Sequence, residues 1–411
     1  MADDLAKTLA IHGGTAVRTD PWPTRNLLGE DEKRAVMDLF DRAAATGAPF
    51  TYGGSAEEAY CKAFAAMMGG GFADGVNSGT NAIYVALRAV DPQPGTEVIV
   101  PAMSDPGGVM PVAIAGCIPV PADTAPAPGS TPGSFNVGAA QIAARITERT
   151  SAIIVAHIGG LPCDMDAIMA LASKRGLPVI EDCAQAHGAT CRGKPVGTFG
   201  DVAAFSTMSG KHHVTGGQGG VVFTRDEQMY WRIRRAADRG KPFGLEGVEE
   251  NVVAALNCNM DEMQAAIGCV QLPKLAKCLA ARRRNAAALA EGCRRKLKAV
   301  RVVEALPGCE GAYWFIFCTV DVAKLRVDKN AFVDALAAEG IPVGKSYLVL
   351  PCEHRWYREQ FGGGEGRSYP CPNVHAADRV TFRLLFHEKC GDAEVADTLA
   401  AMAKVEAAYL K

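Results

Sequence analysis

Residues 179–188 read VIEDCAQAHG, an apolar run that ends in two carboxylates and continues into a turn of small residues. This pattern is typical of a short buried strand that reaches the carboxyl edge of a parallel sheet. Because open α/β sheets bind ligands at that edge, we expect Asp182 to face a crevice, where its carboxylate would suit a protonated ring nitrogen. A capping or loop-fixing role for Asp182 is the alternative.

Similar apolar runs lie on both sides of this strand and alternate with stretches of helical periodicity. The alternation predicts an α/β fold with a mostly parallel mixed sheet between helices. The segment Asp123–Ser134, rich in Pro, Gly, Ser and Thr, is predicted to be a loop. The predicted strands are Glu97–Pro101, Cys117–Ala122, Ala152–His157, Pro178–Asp182, Val202–Ser206 and Gly220–Thr224, and predicted helices include Ala139–Ile146 and Met165–Arg175.

After residue 260 the pattern changes to long helical stretches with few strands. We therefore predict two domains, residues 1–270 with an N-terminal arm and residues 271–411 as a smaller α+β domain. The basic run Arg282–Arg284 is predicted to be a solvated helix face rather than a binding site. The predicted elements after residue 260 are a helical region Asp261–Leu297, strands Trp314–Val320 and Pro342–Val349, and a terminal helix Glu394–Ala407.

The composition argues against several functional classes. The 411 residues include 43 basic and 45 acidic ones, a formal net charge of -2 that gives no signal for binding nucleic acid. No window holds the roughly 18 apolar residues of a membrane helix, and the acidic amino terminus lacks the pattern of a signal peptide. The 14 cysteines are scattered without a C-x-x-C pair, so we interpret them as reduced cysteines of a cytoplasmic protein and predict no metal site.

A turn of small and hydroxyl-bearing residues, NSGTNA at 77–82, leads directly into a helical stretch that reaches Val90. Free backbone N–H groups and the positive end of the helix dipole at such a turn suit a phosphate group. Ser78, Gly79 and Thr80 are therefore candidate phosphate contacts. Ser, Thr and Asn are also favoured at ordinary helix caps, so the turn alone does not decide between the two interpretations.

A lysine stands in the short loop between two predicted strands, in the run FSTMSGKHH at 205–213. Partial burial in such a loop would lower the pKa of the Lys211 amine and favour a Schiff base with an aldehyde. An exposed lysine is the alternative, since most lysines lie at the surface. The order of the three features along one sheet domain favours a single site that contains the turn, Asp182 and Lys211.

These stretches resemble the DegT/DnrJ/StrS family of fold type I aminotransferases, which use pyridoxal 5'-phosphate (PLP) and act on keto sugars and cyclitols. The ends of the chain, IHGGTAVRTDPWP and YPCPNVHAADRV, are similar to the branch of aminocyclitol aminotransferases and aminohydroxybenzoate synthases. The resemblance covers about residues 75–273 in the family's order. The matching stretches are VNSGTNAIYVAL, GTEVIVPAM, TSAIIVAHIGGLPCDMDAI, PVIEDCAQAHGA, GDVAAFS, GKHHVTGGQGGVV and NMDEMQAAIGCVQL.

The resemblance implies a role for each matching residue. Lys211 would hold PLP as a Schiff base and move the proton, Asp182 would pair with the pyridinium nitrogen, and Gln185 would lie near the phenolic oxygen. Asn257 would reach the phosphate of the neighbouring subunit, which implies a homodimer with shared active sites. The remaining phosphate contacts would be Gly79, Thr80 and Ser206.

The chain departs from the family at two positions. Asp105 stands where many members carry an aromatic residue that stacks on the cofactor, so ring packing must come from elsewhere, for example from Ala184 or His187. Asn259 replaces a common arginine, which indicates a change at the acceptor site. His187 is also predicted to be a catalytic acid or base facing the pocket, whereas His212 and His213 are more simply explained as one buried and one solvated histidine.

The predicted reaction moves an amino group from glutamate or glutamine to a ketone of a sugar or cyclitol, in amino-sugar, aminocyclitol or natural-product biosynthesis. Two alternatives remain open: a PLP-dependent dehydratase or aromatising synthase of the aminohydroxybenzoate type, and a noncatalytic PLP-binding regulator. Lys211 argues against the sugar dehydratases, which have His at this position. A nucleotide-binding domain is disfavoured because no G-x-G-x-x-G follows a strand.

Overall fold

The computed structural model describes residues 8–126, 134–347, 349–362 and 369–411. Its main feature is a seven-stranded sheet with strand order β1-β7-β6-β5-β4-β2-β3. Strands β2 to β6 pair in parallel, whereas β7 runs antiparallel to both of its neighbours. The strands are β1 (Phe72–Val76), β2 (Glu97–Pro101), β3 (Ile118–Ala122), β4 (Thr150–Ala156), β5 (Val179–Asp182), β6 (Val202–Ser206) and β7 (Gly220–Thr224).

Helices cover both faces of this sheet, which explains why its central strands are apolar without alternation. Every residue of β2, β5, β6 and β7 is buried. The predicted α/β fold with a mostly parallel mixed sheet is therefore confirmed. The helices of this part are α1 (Glu30–Thr46), α2 (Ser55–Met67), α3 (Gly79–Val90), α4 (Met110–Ile114), α5 (Ala139–Ala143), α6 (Met165–Arg175), α7 (Glu227–Ala237) and α8 (Glu262–Gln271).

A second, four-stranded antiparallel sheet has the order β8-β9-β11-β10. Its own core contains Leu289, Phe332, Phe382 and Met402, all buried. The strands are β8 (Val300–Val302), β9 (Ile316–Val320), β10 (Val343–Gly344) and β11 (Thr381–Leu384), and the helices are α9 (Leu275–Lys296), α10 (Lys329–Ala338), α11 (Arg355–Phe361), α12 (Pro372–Asp378) and α13 (Asp392–Tyr409).

The N-terminal arm packs against this second core. Leu9 is fully buried in it, and Arg18 donates hydrogen bonds to Glu394 at 2.9 Å and to Asp397 at 2.8 Å. The Trp22 ring packs edge-on against Phe386 with 5.3 Å between ring centroids. The division of the chain at residue 270 stays a prediction. It assigns the N-terminal arm to the first domain, but the arm contacts mainly the second core.

Several sequence expectations need correction. The helical region predicted for 261–297 is two helices, α8 and α9, because Pro273 in the intervening 3-10 turn has no N–H for an α-helical bond. The strand predicted for 342–349 is limited to β10 in the described residues, and Leu348 lies outside them. Residues 127–133 of the predicted loop and residues 1–7 of the amino terminus also lie outside them.

The interpretation of all cysteines as reduced is wrong for one pair. Cys191 and Cys309 form a disulfide, because the two-residue strands Thr190–Cys191 and Cys309–Glu310 pair antiparallel with these cysteines opposite each other. The other 12 cysteines are free. In the part of the chain that is described, no helix combines the length and the apolar character needed to cross a bilayer.

Candidate functional site

A cavity of about 210 Å³ opens where β5 and β6 end and α3 begins. This position is the carboxyl edge of the parallel strands, the usual ligand site of such sheets. The cavity brings together seven of the residues predicted from the sequence. Its lining consists of Gly79, Thr80, Ile83, Asp105, Gly107, Gly108, Asp182, Ala184, Gln185, Ser206, Met208, Lys211 and Gln218.

Asp182 is the last residue of β5 and is buried beneath this cavity. Its Oδ1 accepts a hydrogen bond from the Ala184 N–H at 3.0 Å. Burial raises the pKa of Asp182 above its ordinary value, although the Ala184 N–H and the charge of Lys211 oppose the rise. A Cβ added to Gly108 would lie 2.9 Å from Asp182 Oδ2, so the missing side chain at Gly108 keeps this oxygen accessible.

The carboxylate before it, Glu181, fixes the end of β5 from the opposite side. It accepts hydrogen bonds from the N–H groups of Gly197, Phe199 and Gly200 at 2.6–2.7 Å and from His157 Nε2 at 3.1 Å. Burial raises the pKa of Glu181, but these hydrogen bonds outweigh it and lower the pKa overall. His157 also accepts the Cys163 N–H at Nδ1 and so helps to hold the loop that follows β4.

His157, Glu181 and Cys183 offer ligand atoms within 4.8 Å of one another. However, His157 Nδ1 accepts the Cys163 N–H at 3.0 Å, which places the ring proton on Nε2, where it is donated to Glu181. Both ring nitrogens are therefore engaged in protein hydrogen bonds. We interpret the group as structural support for Asp182 rather than as a metal centre.

Helix α3 begins at Gly79, within the NSGT turn rather than after it. Ser78 caps the helix by accepting the Asn81 N–H at 3.1 Å. A Cβ added to Gly79 would lie 2.5 Å from the Ser206 Cβ, so only glycine lets the helix start approach β6 this closely. The Ser206 hydroxyl and the amino end of α3 thus converge on one corner of the cavity, as a bound phosphate requires.

Lys211 lines the same cavity and is 7% exposed. Burial lowers the pKa of Lys211 to about 8, although the Asp182 and Asp105 carboxylates favour the charged form. A substantial fraction of the amine is therefore neutral near pH 8 and able to attack an aldehyde. The Lys211 Nζ lies 4.0 Å from the centroid of the Trp314 ring.

Gln185 connects the cavity to Gly159 and to the distant residue Tyr347. Its Oε1 accepts the Gly159 N–H at 2.7 Å, and its Nε2 donates to Tyr347 Oη at 2.9 Å. Burial raises the pKa of Tyr347, so its hydroxyl stays protonated. Sequence analysis missed both Tyr347 and Trp314, which follow the cavity strands by more than 100 residues. The aromatic run YWF at 313–315 is the only signal that could have indicated them.

Asp105 and Asn257, the two remaining residues that were considered from the family resemblance, are placed differently: Asp105 lines the cavity and Asn257 does not. Asp105 lines the cavity, is exposed, and accepts the Gly107 N–H at 2.9 Å. Asn257 is exposed and does not line the cavity of its own chain; its Oδ1 accepts hydrogen bonds from the N–H and the Nδ2 of Asn259. A contact between Asn257 and a cofactor therefore needs a second chain.

The prediction that His187 faces the pocket is wrong. His187 is fully buried behind the lining, with its ring 5.4 Å from Phe205 and 5.0 Å from His213, and its nitrogens have no hydrogen-bond partner in the described residues. His212 and His213 are buried too, bonded to Ala312 O and Tyr60 Oη. Burial lowers the pKa of all three histidines, that of His213 to about 4, so they are neutral at pH 7.

A model of the DegT/DnrJ/EryC1/StrS aminotransferase family matches residues 30–403. The chain belongs to this family. One relative, the L-glutamine:2-deoxy-scyllo-inosose aminotransferase of Streptoalloteichus tenebrarius, is 32% identical over 97% of each chain.

Two solved structures of similar proteins share the fold. The aminotransferase from Psychrobacter cryohalolentis matches with a TM-score of 0.80 and 28% identity over 93% of this chain and 97% of its own. The 3-amino-5-hydroxybenzoic acid synthase matches with a TM-score of 0.79 and 26% identity over 95% and 99%. The family resemblance and the fold type I architecture expected from the sequence are confirmed, and the protein is an aminotransferase.

Proposed function

We propose that this DegT/DnrJ/EryC1/StrS family member uses pyridoxal 5'-phosphate to transfer an amino group from glutamine or glutamate to a ketone on a cyclitol or sugar. The observation that carries the proposal is the shared cavity, in which the Lys211 amine, the buried Asp182 carboxylate and the corner formed by Gly79 and Ser206 all take part in the lining. The relative named for a glutamine-dependent reaction on an inosose supports a cyclitol acceptor.

The residues present fit this cofactor. Asp182 offers a buried carboxylate of raised pKa, which a protonated pyridine nitrogen would stabilise as an anion. Gly79 leaves room against Ser206 that a Cβ would fill, and the amino end of α3 suits an anionic group there. When bound, the cofactor supplies an electron sink that stabilises negative charge on the carbon next to the transferred nitrogen.

The protein's own contribution is proton transfer and orientation. The Lys211 amine, with its pKa of about 8, can both accept and donate a proton near neutral pH, as a general acid and base must. Gln185 is held at both ends of its amide, by Gly159 and Tyr347, and so presents a fixed edge to the cavity. No step in this scheme needs His187, His212 or His213, which are buried and neutral.

The reaction can be tested with the purified protein and added PLP. We expect the visible absorbance of the bound cofactor to be lost when glutamine or glutamate is added and to return when a keto-cyclitol is added, with the aminated ring as product. An aromatic aminohydroxybenzoate formed from an aminodehydroshikimate substrate would instead favour the second candidate function, which the synthase neighbour supports. Absorbance that no amino donor changes would contradict both and favour a binding protein without activity.

We also propose that the enzyme is a homodimer with shared sites. Asn257 is exposed outside its own cavity, and the segment around it exposes three large apolar side chains, Leu245, Val252 and Leu256, each more than 40% exposed. Such side chains mark a surface that is suited to burial between chains. The cytoplasmic location remains a prediction.

Mixing of two inactive chains tests the shared site. Lys211→Ala and Asn257→Asp chains should each lose activity, the second because its carboxylate repels a phosphate. Refolded together in equal amounts, they should recover about a quarter of wild-type kcat, because half of the dimers would contain one intact site. A mixture no more active than the average of the separate variants would contradict the shared site, and wild-type protein that sediments as a monomer would contradict the dimer.

A further inference from the structure

The Lys211 amine lies over the face of Trp314, at 4.0 Å from its ring centroid. A cation at this distance from an indole is attracted to it, and the attraction is strongest where water is excluded. Lys211 is buried, and Trp314 is partly buried. Trp314 also donates its Nε1–H to Gly210 O at 2.9 Å, so it contacts both the lysine amine and the backbone just before it.

The backbone that carries Trp314 is held in an unusual conformation. Tyr313 has a φ of +49°, in the left-handed region that a bulky residue adopts only when its surroundings enforce it. The flanking N–H groups are anchored, since Ala312 donates to Gly160 O at 2.8 Å and Trp314 to Gly159 O at 2.9 Å. This turn therefore fixes the direction in which the indole leaves the backbone.

A buried arginine holds the other side of the same turn. Arg282 is 3% exposed, and its Nη1 donates to the carbonyl oxygens of Tyr313 at 2.8 Å and Trp314 at 2.9 Å. Its Nε and Nη2 form a two-pronged ion pair with Glu388 Oε2 at 3.0 and 2.8 Å. The basic run predicted to be solvated thus contains, in Arg282, a buried structural cation.

Glu388 links this arginine back to the lysine loop. Its second oxygen accepts Arg25 Nε at 3.0 Å, and Arg25 Nη2 donates to the Lys211 carbonyl at 2.5 Å. These contacts form a closed chain of hydrogen bonds. It runs from the Lys211 carbonyl through Arg25, Glu388 and Arg282 to the backbone of Trp314. The indole N–H of Trp314 closes it by its bond to Gly210. The backbone of Gly210 and Lys211 and the indole cannot shift apart without breaking one of these hydrogen bonds.

We infer that Trp314 is the positioning residue for the Lys211 amine and that Arg25, Glu388 and Arg282 hold the indole against it. The inference rests on the proposed role of Lys211, whose amine must be released and recaptured in each half-reaction. The ring of Trp314 would hold the released side chain at one place beside the cavity, so that the Lys211 amine searches fewer conformations before each proton transfer.

The test measures Lys211 in the cofactor-free protein, with Trp314→Met and Trp314→Phe as a matched pair. Acetylation of Lys211 by acetic anhydride is followed against pH by mass spectrometry, which gives the midpoint at which the amine loses its proton. Met keeps the site apolar without an aromatic face, so we expect the midpoint to fall by about one pH unit. Phe keeps an aromatic face and should lower the Lys211 midpoint by less than half as much. Glu291→Gln, which removes an exposed ion pair on the same helix as Arg282, should leave it unchanged.

A second measurement avoids any change of shape. Replacement of all tryptophans by fluorinated tryptophans weakens the negative ring face, and the midpoint should then fall stepwise with the number of fluorines. A Lys211 midpoint that is the same, or higher, with fluorinated rings or in a folded Trp314→Met protein would overturn the inference. Because PLP is absent from both measurements, that result would leave the proposed function intact; failure of the wild-type protein to bind PLP would instead contradict the function.

Discussion

Replacement of Lys211 by alanine is expected to lower kcat by roughly 10⁴-fold, the upper range for the loss of a general acid–base group. Lys211 is the lysine that lines the described cavity, and its lowered pKa of about 8 makes it able to carry a proton in both directions. The neighbouring histidines cannot substitute for it, because burial keeps their pKa values low and their rings lie outside the lining. The measurement is steady-state kcat with glutamine and a keto-cyclitol.

Two controls separate chemistry from folding in this experiment. Lys174→Ala removes an exposed lysine near the end of α6 and should leave kcat unchanged. Methylamine added to the Lys211→Ala protein should restore part of the rate, because a small amine can enter the space left by the side chain. Retention of more than one tenth of wild-type kcat by Lys211→Ala would refute the assignment of this residue.

Asp182→Asn is expected to reduce kcat by about a thousandfold. The change keeps the shape of the side chain, but it removes the buried negative charge that would stabilise a protonated pyridine nitrogen. Breaking one partner of a buried ion pair costs about 3–5 kcal/mol, and about 1.4 kcal/mol corresponds to a factor of ten in rate. Rapid-reaction absorbance after mixing with glutamine measures the first half-reaction directly.

The matched control is Asp164→Asn at the start of α6. Asp164 accepts the Ala167 N–H as a helix cap, a role that asparagine fills about as well, so activity should not change. Since Asp182 is desolvated at a cost to the folded protein, the Asn variant should be at least as stable as wild type towards urea. Wild-type kcat in a folded Asp182→Asn protein would show that the carboxylate does not pair with a reacting group.

The sheet around the cavity was predictable from sequence because its strands obey one simple rule. Strands buried on both faces are continuous apolar runs, and the bounds of β2, β6 and β7 agree with those predicted at every residue. Asp182 and Lys211 were identifiable for the same reason, since each stands at or just after the end of such a run, whereas Ser206 was assigned from the family resemblance. Local sequence thus determines this half of the site.

The remaining features depend on contacts between distant segments, which no local pattern reports. Strand β1 was not predicted, because Asp74 interrupts its apolar run; in the fold Asp74 is buried and pairs with Arg234 of α7 at 3.1 Å. Trp314 and Tyr347 contact the cavity residues Lys211 and Gln185 although each pair is more than 100 residues apart in sequence. His187 was misplaced because a histidine beside a site and one buried behind it have the same local sequence.

The contact between the N-terminal arm and helix α13 sets an order in which the segments can fold. Arg18 and its partner Glu394 are separated by 376 residues. At about 5–20 residues per second, the arm waits roughly 20–75 s for the carboxylates it will bind. All seven strands of the large sheet emerge during this interval, so that sheet can assemble on the ribosome while Leu9 and Trp22 still lack their native neighbours. The core that contains Leu289 and Phe332 therefore closes only after α13 has been made, and the arm, although made much earlier, is among the last segments to reach its native contacts.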